Sequence, residues 1–414
     1  MCGIFGFVSN NQIPSEEILN GLKTLEYRGY DSWGIAIKNK TSIATEKHIG
    51  KIANAKINFS KTNIGIGHTR WATHGGVTVK NAHPHLDCTQ KIALMHNGIV
   101  ENYLEIKKVL EKKGHKFNSE TDTEVIVHLI EENLKTKGFA SSVRDAFKKL
   151  SGMNAIVVMN SVSSEIIAVK SGSPLIVGKT KDAFYIASDL LAIDKTNDLL
   201  FLKDNEMVIL GKGLQLIDLS TQKKLKPVFE IISWKRAHAN KGKFKHFMLK
   251  EIFDEPNVIR NIAKNSEDNI KEITNLIDKA FGTFFIGSGT AYFACLAGSY
   301  LFSKIAKKHV NTLPASEFNY LEDFLTKNSL IIALSQSGET IDVVEPLQRA
   351  RFKQSKIVAI TNVQGSTVYR MADKKFLLLA GPEKAFIIPK TKAATKAEVK
   401  FSTTTPGNTY ATAK

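Results

Sequence analysis

The 414-residue chain is expected to fold as an α+β domain followed by an α/β domain built on a parallel sheet. Two observations predict this. From Cys2 to about Trp234, short strand-like runs broken by Gly, Asn, Asp and Ser outnumber the helical patterns. From Glu251 onward strands and helices alternate, the pattern that places helices on both faces of a parallel sheet. The length allows two or three domains.

Strands are predicted at 3–9, 34–38, 65–69, 92–96, 155–160, 165–170, 183–187 and 207–210. Among them lies a helix over 15–25, with Ile18, Leu22 and Leu25 on one face and Ser15 as a candidate N-cap. Residues 103–113 and 122–136 read as helices in the same way. The first domain is therefore placed at residues 2–234. Residues 235–250 are polar and basic and read as a linker. In the second domain, residues 251–383, helical periodicity over 257–279 precedes strands at 283–286, 330–334, 356–360 and 376–379. Helices are predicted at 291–307, 341–353 and 366–373. Residues 384–414, rich in Lys, Ala and Thr, read as a disordered tail.

Composition narrows the function classes. Apolar residues make up 43% and charged residues 23%, as in soluble globular proteins. No run of 18 apolar residues and no secretory pattern is present, so a cytoplasmic protein without membrane contact is expected. Cys2, Cys88 and Cys295 are far apart and lack metal-ligand spacing. They imply a reducing compartment with no disulfide, and no metal or cofactor is expected. Cys88 and Cys295 read as small core or surface residues. The net charge of +17 is spread along the chain without a nucleic-acid-binding motif. It suits anionic small substrates better than nucleic acid.

The chain opens Met1-Cys2-Gly3. Trimming of Met1 would leave a thiol and a free α-amine on one residue, a nucleophile beside its base. Polar clusters follow at 27–32, 68–75, 81–85, 96–102 and 119–124. Arg70, after a strand, can grip a carboxylate bidentately. Asp122, ahead of a helix, can accept from an ammonium group or act as an N-cap. Asn97-Gly98 can form a turn, or present an amide and an N–H to an oxyanion. His74, His83 and His85 read as surface or turn histidines, because His-x-His without matching carboxylates is a poor metal pattern.

Taken together, Cys2 and these clusters resemble the class II glutamine amidotransferase domain, an N-terminal-nucleophile glutaminase, from Cys2 to the linker. The resemblance implies a four-layer αββα sandwich. It implies that Cys2 attacks the side-chain amide of glutamine with its own α-amine as base, and that Asn97 and Gly98 stabilise the oxyanion. Arg70 would hold the substrate α-carboxylate and Asp122 its α-amino group. Trp71 and His74 would belong to a loop that closes over glutamine. Trp33 stands where the family has a small residue.

Two hydroxyl-rich loops, 286–291 and 335–340, each end a predicted strand and lead into a helix, a natural phosphate site. Residues 335–340 resemble the signature of the sugar isomerase (SIS) domain, a flavodoxin-like phosphosugar-binding fold. By that resemblance Ser288, Thr290, Ser335, Gln336, Ser337 and Thr340 would contact the sugar phosphate, while Ser288 and Ala291 depart from the family's usual Cys and Ser. The junction at 246–256 resembles that of amidotransferases which join both modules. In these, ammonia reaches fructose 6-phosphate, and homodimers form through the SIS domains. The resemblance ends at Glu383. It implies a second SIS domain with isomerase residues, none assignable in 384–414. Alternative readings are a glutaminase releasing free ammonia and a non-catalytic phosphosugar-binding protein. Neither loop carries the full dinucleotide-binding pattern, which disfavours a dehydrogenase.

Overall fold

The computed structural model describes residues 2–231, 242–381 and 383, with the short pairs 387–388 and 400–401. The chain divides into two compact units, Met1–Arg236 and Ala237–Lys414.

The first unit opens with β1 (Gly3–Ile13), α1 (Glu16–Leu25), β2 (Ser32–Asn39), β3 (Ser42–Ile49) and β4 (Thr62–Arg70). Next come β5 (His85–Leu86), β6 (Ile92–Gly98), α2 (Tyr103–Lys112), α3 (Glu124–Leu134) and α4 (Phe139–Phe147). It continues through β7 (Asn154–Asn160), β8 (Ile166–Ser171), β9 (Ile176–Lys179), β10 (Ala183–Ala187) and β11 (Asp198–Phe201). β12 (Glu206–Leu210), β13 (Leu214–Asp218), β14 (Lys224–Leu225) and β15 (Glu230–Ile231) complete it.

These strands form two sheets, ordered β15-β11-β9-β10-β1-β4-β2-β3 and β14-β13-β12-β8-β7-β6-β5. Strand periodicity explains the layering. On β6, Ala93 and Met95 face one way and Ile92 and Leu94 the other; on β7, Val157 and Met159 oppose Ile156 and Val158. The first set packs against Ile4, Val8, Ile64 and Ile66 of the other sheet. The second set packs against Ile106 and Leu110 of α2, Val125 and Ile130 of α3, and Val143 and Ala146 of α4. The helix α1 covers the outer face of the first sheet. A Cβ at Gly67 would sit 2.6 Å from Ile18 and 2.8 Å from Leu22, so the glycine lets α1 approach the strand. The result is the four-layer αββα sandwich.

Ser15 does not cap α1. Its backbone is helical, and its hydroxyl donates instead to the Phe59 carbonyl at 2.9 Å. Trp33 is accommodated by burial on β2, its ring stacked on His48 of β3 at 4.3 Å.

The second unit contains α5 (Phe247–Asn265), α6 (Glu267–Lys279), β16 (Gly282–Gly287), α7 (Thr290–Leu301) and β17 (Asn311–Pro314). β18 (Ser329–Ser335), α8 (Ile341–Phe352), β19 (Lys356–Thr361), α9 (Thr367–Met371) and β20 (Lys374–Leu377) follow. All pairings in this sheet are parallel, and the order β17-β16-β18-β19-β20 is the flavodoxin-like 2-1-3-4-5 arrangement. Phe284, Ile286, Ile331 and Ala333 face α8 and α9; Phe285, Leu330 and Ile332 face α6 and α7. The expected linker gives way at Phe247, where α5 begins, and the rest of it up to residue 241 lies outside the described residues from 232. The single helix predicted over 257–279 is two helices parted at Ser266. Of the expected tail, Ile387–Ile388 and Lys400–Phe401 pair antiparallel, and the remainder lies outside the described residues.

Candidate functional site

In the first unit, Cys2 precedes β1 beside the end of β4, whose last residue is Arg70 and which Trp71 follows. The adjoining β6 ends in Asn97 and Gly98. Segment 121–123, ahead of α3, closes the opposite side. Together Cys2, Arg70, Trp71, His74, Gly98 and Asp122 line one small open pocket, along with Thr73, His83, His96, Thr121 and Thr123.

The Cys2 thiol accepts from the Trp71 N–H at 3.2 Å. Burial pushes this thiol above its ordinary value, opposed by the Trp71 N–H and by Arg70. Asn97 donates through Nδ2 to the Cys2 backbone carbonyl at 3.0 Å. Its Oδ1 meets His68 Nε2 at 3.1 Å, which fixes the amide's orientation. Gly98 adopts φ +132°, and a Cβ there would stand 2.1 Å from the Met153 carbonyl oxygen. Only glycine fits this strand end.

Arg70 does two jobs. Its Nη atoms donate to the carbonyls of His74, Gly75 and Gly76 at 2.5, 3.2 and 3.2 Å, holding the 73–76 loop over the pocket. Three of its five N–H groups are spent there, leaving two. Asn81 ties the same loop to segment 118–122, donating to the Gly76 carbonyl and to Glu120 at 3.0 Å each. Asp122 is no helix cap. Its Oδ2 accepts from the Val100 N–H at 2.7 Å, and α3 begins two residues later. The His74 ring stands edge-on to Tyr103, and the Trp71 ring edge-on to Tyr30. Asp31 accepts from the Ala72 N–H at 2.9 Å, which locks the 27–32 cluster to the loop.

His83 and His85, read from the sequence as surface or turn histidines, instead belong to a buried histidine layer in the pocket wall. His68, His83, His85 and His96 are all buried, with His83 stacked on His68 at 3.9 Å and edge-on to His85 at 4.7 Å. Burial holds all of them below the ordinary imidazole range, His68 at about 3. The available signal was that His68 continues the inward-facing row of Ile64 and Ile66 on β4, and His96 that of Ile92 and Leu94 on β6, since inward-facing polar residues at strand ends mark a site. Sequence reasoning also missed the partner of Arg28, a buried Asp189 at 2.5 Å.

In the second unit, the loops after β16 and β18 flank the switch point of the sheet, where neighbouring connections diverge. Ser335 Oγ meets Thr340 Oγ1 at 3.2 Å and accepts from the Gly338 N–H at 3.1 Å. Ser337 Oγ accepts from the Glu339 N–H at 3.2 Å. The Gln336 carbonyl accepts from the Asn362 N–H at 3.0 Å. Thr290 begins α7 and Ala291 is buried in its first turn. Ser288 Oγ is buried without a hydrogen-bond partner, as are Thr361 Oγ1 and Ser366 Oγ from a third loop the sequence did not single out. Buried, unpaired hydroxyls at the carboxyl end of a parallel sheet are donors waiting for an acceptor.

A glutamine amidotransferase domain model matches residues 68–195 and a SIS domain model matches residues 276–399. A glutamine–fructose-6-phosphate aminotransferase [isomerizing] of Pyrococcus horikoshii is 43% identical over 401 residues, 94% of this chain and 67% of its own length. One of the same name from Methanococcus maripaludis is 41% identical over 406 residues, with the same coverages. The chain thus spans about two thirds of the length of these relatives. A solved glutamine phosphoribosylpyrophosphate amidotransferase from B. subtilis aligns over 91% of this chain and 90% of its own, at 17% identity and a TM-score of 0.49. No described helix is long and apolar enough to cross a membrane.

Proposed function

Because the chain belongs to the glutamine–fructose-6-phosphate aminotransferase family, we propose that it moves the side-chain amide nitrogen of glutamine to fructose 6-phosphate, giving glutamate and glucosamine 6-phosphate. The observation that carries this reading is the convergence of Cys2, Arg70, Gly98 and Asp122 on one pocket.

In this reading Met1 is removed and the Cys2 α-amine takes the thiol proton. The thiolate attacks the amide carbon, and the oxyanion is met by the Gly98 N–H and the second amide hydrogen of Asn97. The carbon–nitrogen bond then breaks, and ammonia leaves with the proton returned by the α-amine. Water hydrolyses the remaining γ-glutamyl thioester. An unspent N–H of Arg70 serves the substrate α-carboxylate, and the second oxygen of Asp122 its α-ammonium. Trp71 and His74 sit on the covering segment. Ser288, Thr290, Ser335, Gln336, Ser337 and Thr340 hold the sugar phosphate at the sheet's switch point. The partners in this reading are small-molecule substrates and a second copy of the chain in a cytoplasmic homodimer, with neither nucleic acid nor membrane.

Incubating the purified chain with glutamine and fructose 6-phosphate tests the proposal. Glutamate with glucosamine 6-phosphate is the expected outcome. Glutamate with free ammonia alone would replace the proposal with a plain glutaminase, and no turnover would leave a binding protein. Cys2→Ala is expected to slow glutamate release by at least ~10³-fold. Unchanged release would remove Cys2 from the chemistry.

A further inference from the structure

We propose that Cys88, His115, His128 and Glu131 form a zinc-binding site in the first unit, distinct from the glutamine pocket. Each supplies one ligand atom, and these atoms all lie within 4.8 Å of one another. Cys88 comes from the turn between β5 and β6, and His115 from the segment after α2. His128 and Glu131 are three residues apart on α3, so they share a face.

The spacing fits a tetrahedral ion. The Cys88 Sγ lies 3.9 Å from His115 Nδ1 and 3.7 Å from His128 Nδ1. Both Nδ1 atoms lie 2.9 Å from Glu131 Oε2. Metal–nitrogen and metal–oxygen bonds of about 2.0–2.2 Å and a metal–sulfur bond of about 2.3 Å separate tetrahedral ligands by roughly 3.3–3.6 Å. The cluster brackets that range, and small adjustments seat the ion.

The outer contacts point the same way. Each imidazole turns Nδ1 inward and Nε2 toward a carboxylate. His115 Nε2 meets Glu132 Oε2 at 3.0 Å, and His128 Nε2 stands 3.7 Å from Glu124 Oε1. For His115 this is the carboxylate–histidine–metal arrangement that fixes the tautomer of a zinc ligand, while His128 Nε2 lies beyond hydrogen-bond reach of Glu124. Hydrogen bonding alone satisfies the cluster poorly. The one oxygen Glu131 Oε2 faces both Nδ1 atoms and the Cys88 N–H, while the buried His128 Nε2 has no hydrogen-bond partner. A dication accepts the lone pairs of both Nδ1 atoms, the carboxylate and the thiolate together. Sulfur and imidazole donors select zinc over magnesium or calcium. Four protein ligands make a closed, structural site.

Such a site clips the β5–β6 turn and the end of α2 to α3. The residues just before α3, Thr121 to Thr123, line the glutamine pocket, so the ion would brace that wall. The expectation of no metal, drawn from cysteine spacing, is revised by this proposal.

The test uses the full chain, stripped with chelator and titrated with Co²⁺ and then Zn²⁺. One equivalent of Co²⁺ is expected to give a thiolate-to-cobalt charge-transfer band and the intense visible absorption of a tetrahedral ion. Cys88 is exposed, so Cys88→Ser leaves the core untouched; it should abolish the charge-transfer band and weaken Zn²⁺ binding at least ~10-fold. Zn²⁺ should raise the Tm of the parent chain and leave that of Cys88→Ser unmoved. Absence of the cobalt band, its persistence in Cys88→Ser, or an equal Zn²⁺ effect on both Tm values overturns the proposal.

Discussion

At the scale of single residues, Gly98 sets the tightest constraint on the pocket around Cys2. Its φ of +132° and its 2.1 Å approach to the Met153 carbonyl exclude a side chain on both conformational and steric grounds. Gly98→Ala must therefore shift the strand end at the pocket wall, and with it the N–H proposed to meet the oxyanion. Loss of one oxyanion donor costs about 10²–10³ in turnover. Glutamate release by Gly98→Ala is expected to fall by about that factor, with a lowered Tm, while the neighbouring His96–Asn154 contact of 2.8 Å buffers the rest of β6. Turnover within a few-fold of the parent would show that Gly98 is only a turn. Residue identities of this kind were legible in the sequence because Asn-Gly and the Arg, Asp and Cys clusters carry chemistry in their types. The second job of Arg70, gripping three loop carbonyls, was not legible, because it depends on where the 73–76 loop returns in space.

At the scale of elements, the long apolar strands and the amphipathic helices declared themselves, since period 2 and period 3.6 are local. Those left out are short or mixed. The strand β3 is half-exposed along its length, β5 and β14 have two residues each, and α4 spans nine. Their existence rests on partners distant in sequence. So does the tie between the turn after α1 and the turn after β10, the Arg28–Asp189 pair, whose side chains are 8% and 6% exposed. Asp189 Oδ2 also accepts from Tyr27, and Oδ1 caps the following turn at the Leu191 N–H. Asp189→Asn keeps the cap and removes the charge, leaving a buried guanidinium uncompensated. Breaking such a pair costs about 3–5 kcal/mol. A drop of that size in unfolding free energy, measured by denaturant titration, is expected for Asp189→Asn; a loss below about 1 kcal/mol would mean that the two turns are held by packing alone.

At the scale of the whole chain, the two units carry titratable groups whose protonation acts on stability in opposite directions. In the first, His68 is held at about 3 by burial, and His83, His85 and His96 are lowered with it. An unfolded histidine titrates near 6.5, so below that pH the unfolded chain binds protons that the folded unit refuses. The contribution of these four histidines is full above about pH 6.5 and is lost as pH falls toward 3, opposed in part by His128, which Glu124 and Glu131 raise. In the second unit, burial and then Glu251 push Glu383 up to about 8, whereas an unfolded glutamate titrates near 4.3. Here the folded state holds the extra proton, so the contribution is full below about pH 4.3 and is lost as pH rises through 8. Acidification from pH 8 to 5 should therefore loosen the first unit and tighten the second. Hydrogen exchange read by mass spectrometry resolves them: amides in β1, β4 and β6 should exchange faster at pH 5, after correction for intrinsic rates, while those in β16 and β18 should be better protected. Glu383→Gln should erase the pH dependence of the second unit without touching that of the first. Parallel changes in both units, in the parent or in that variant, would refute the assignment of these two groups as the sources of the pH response.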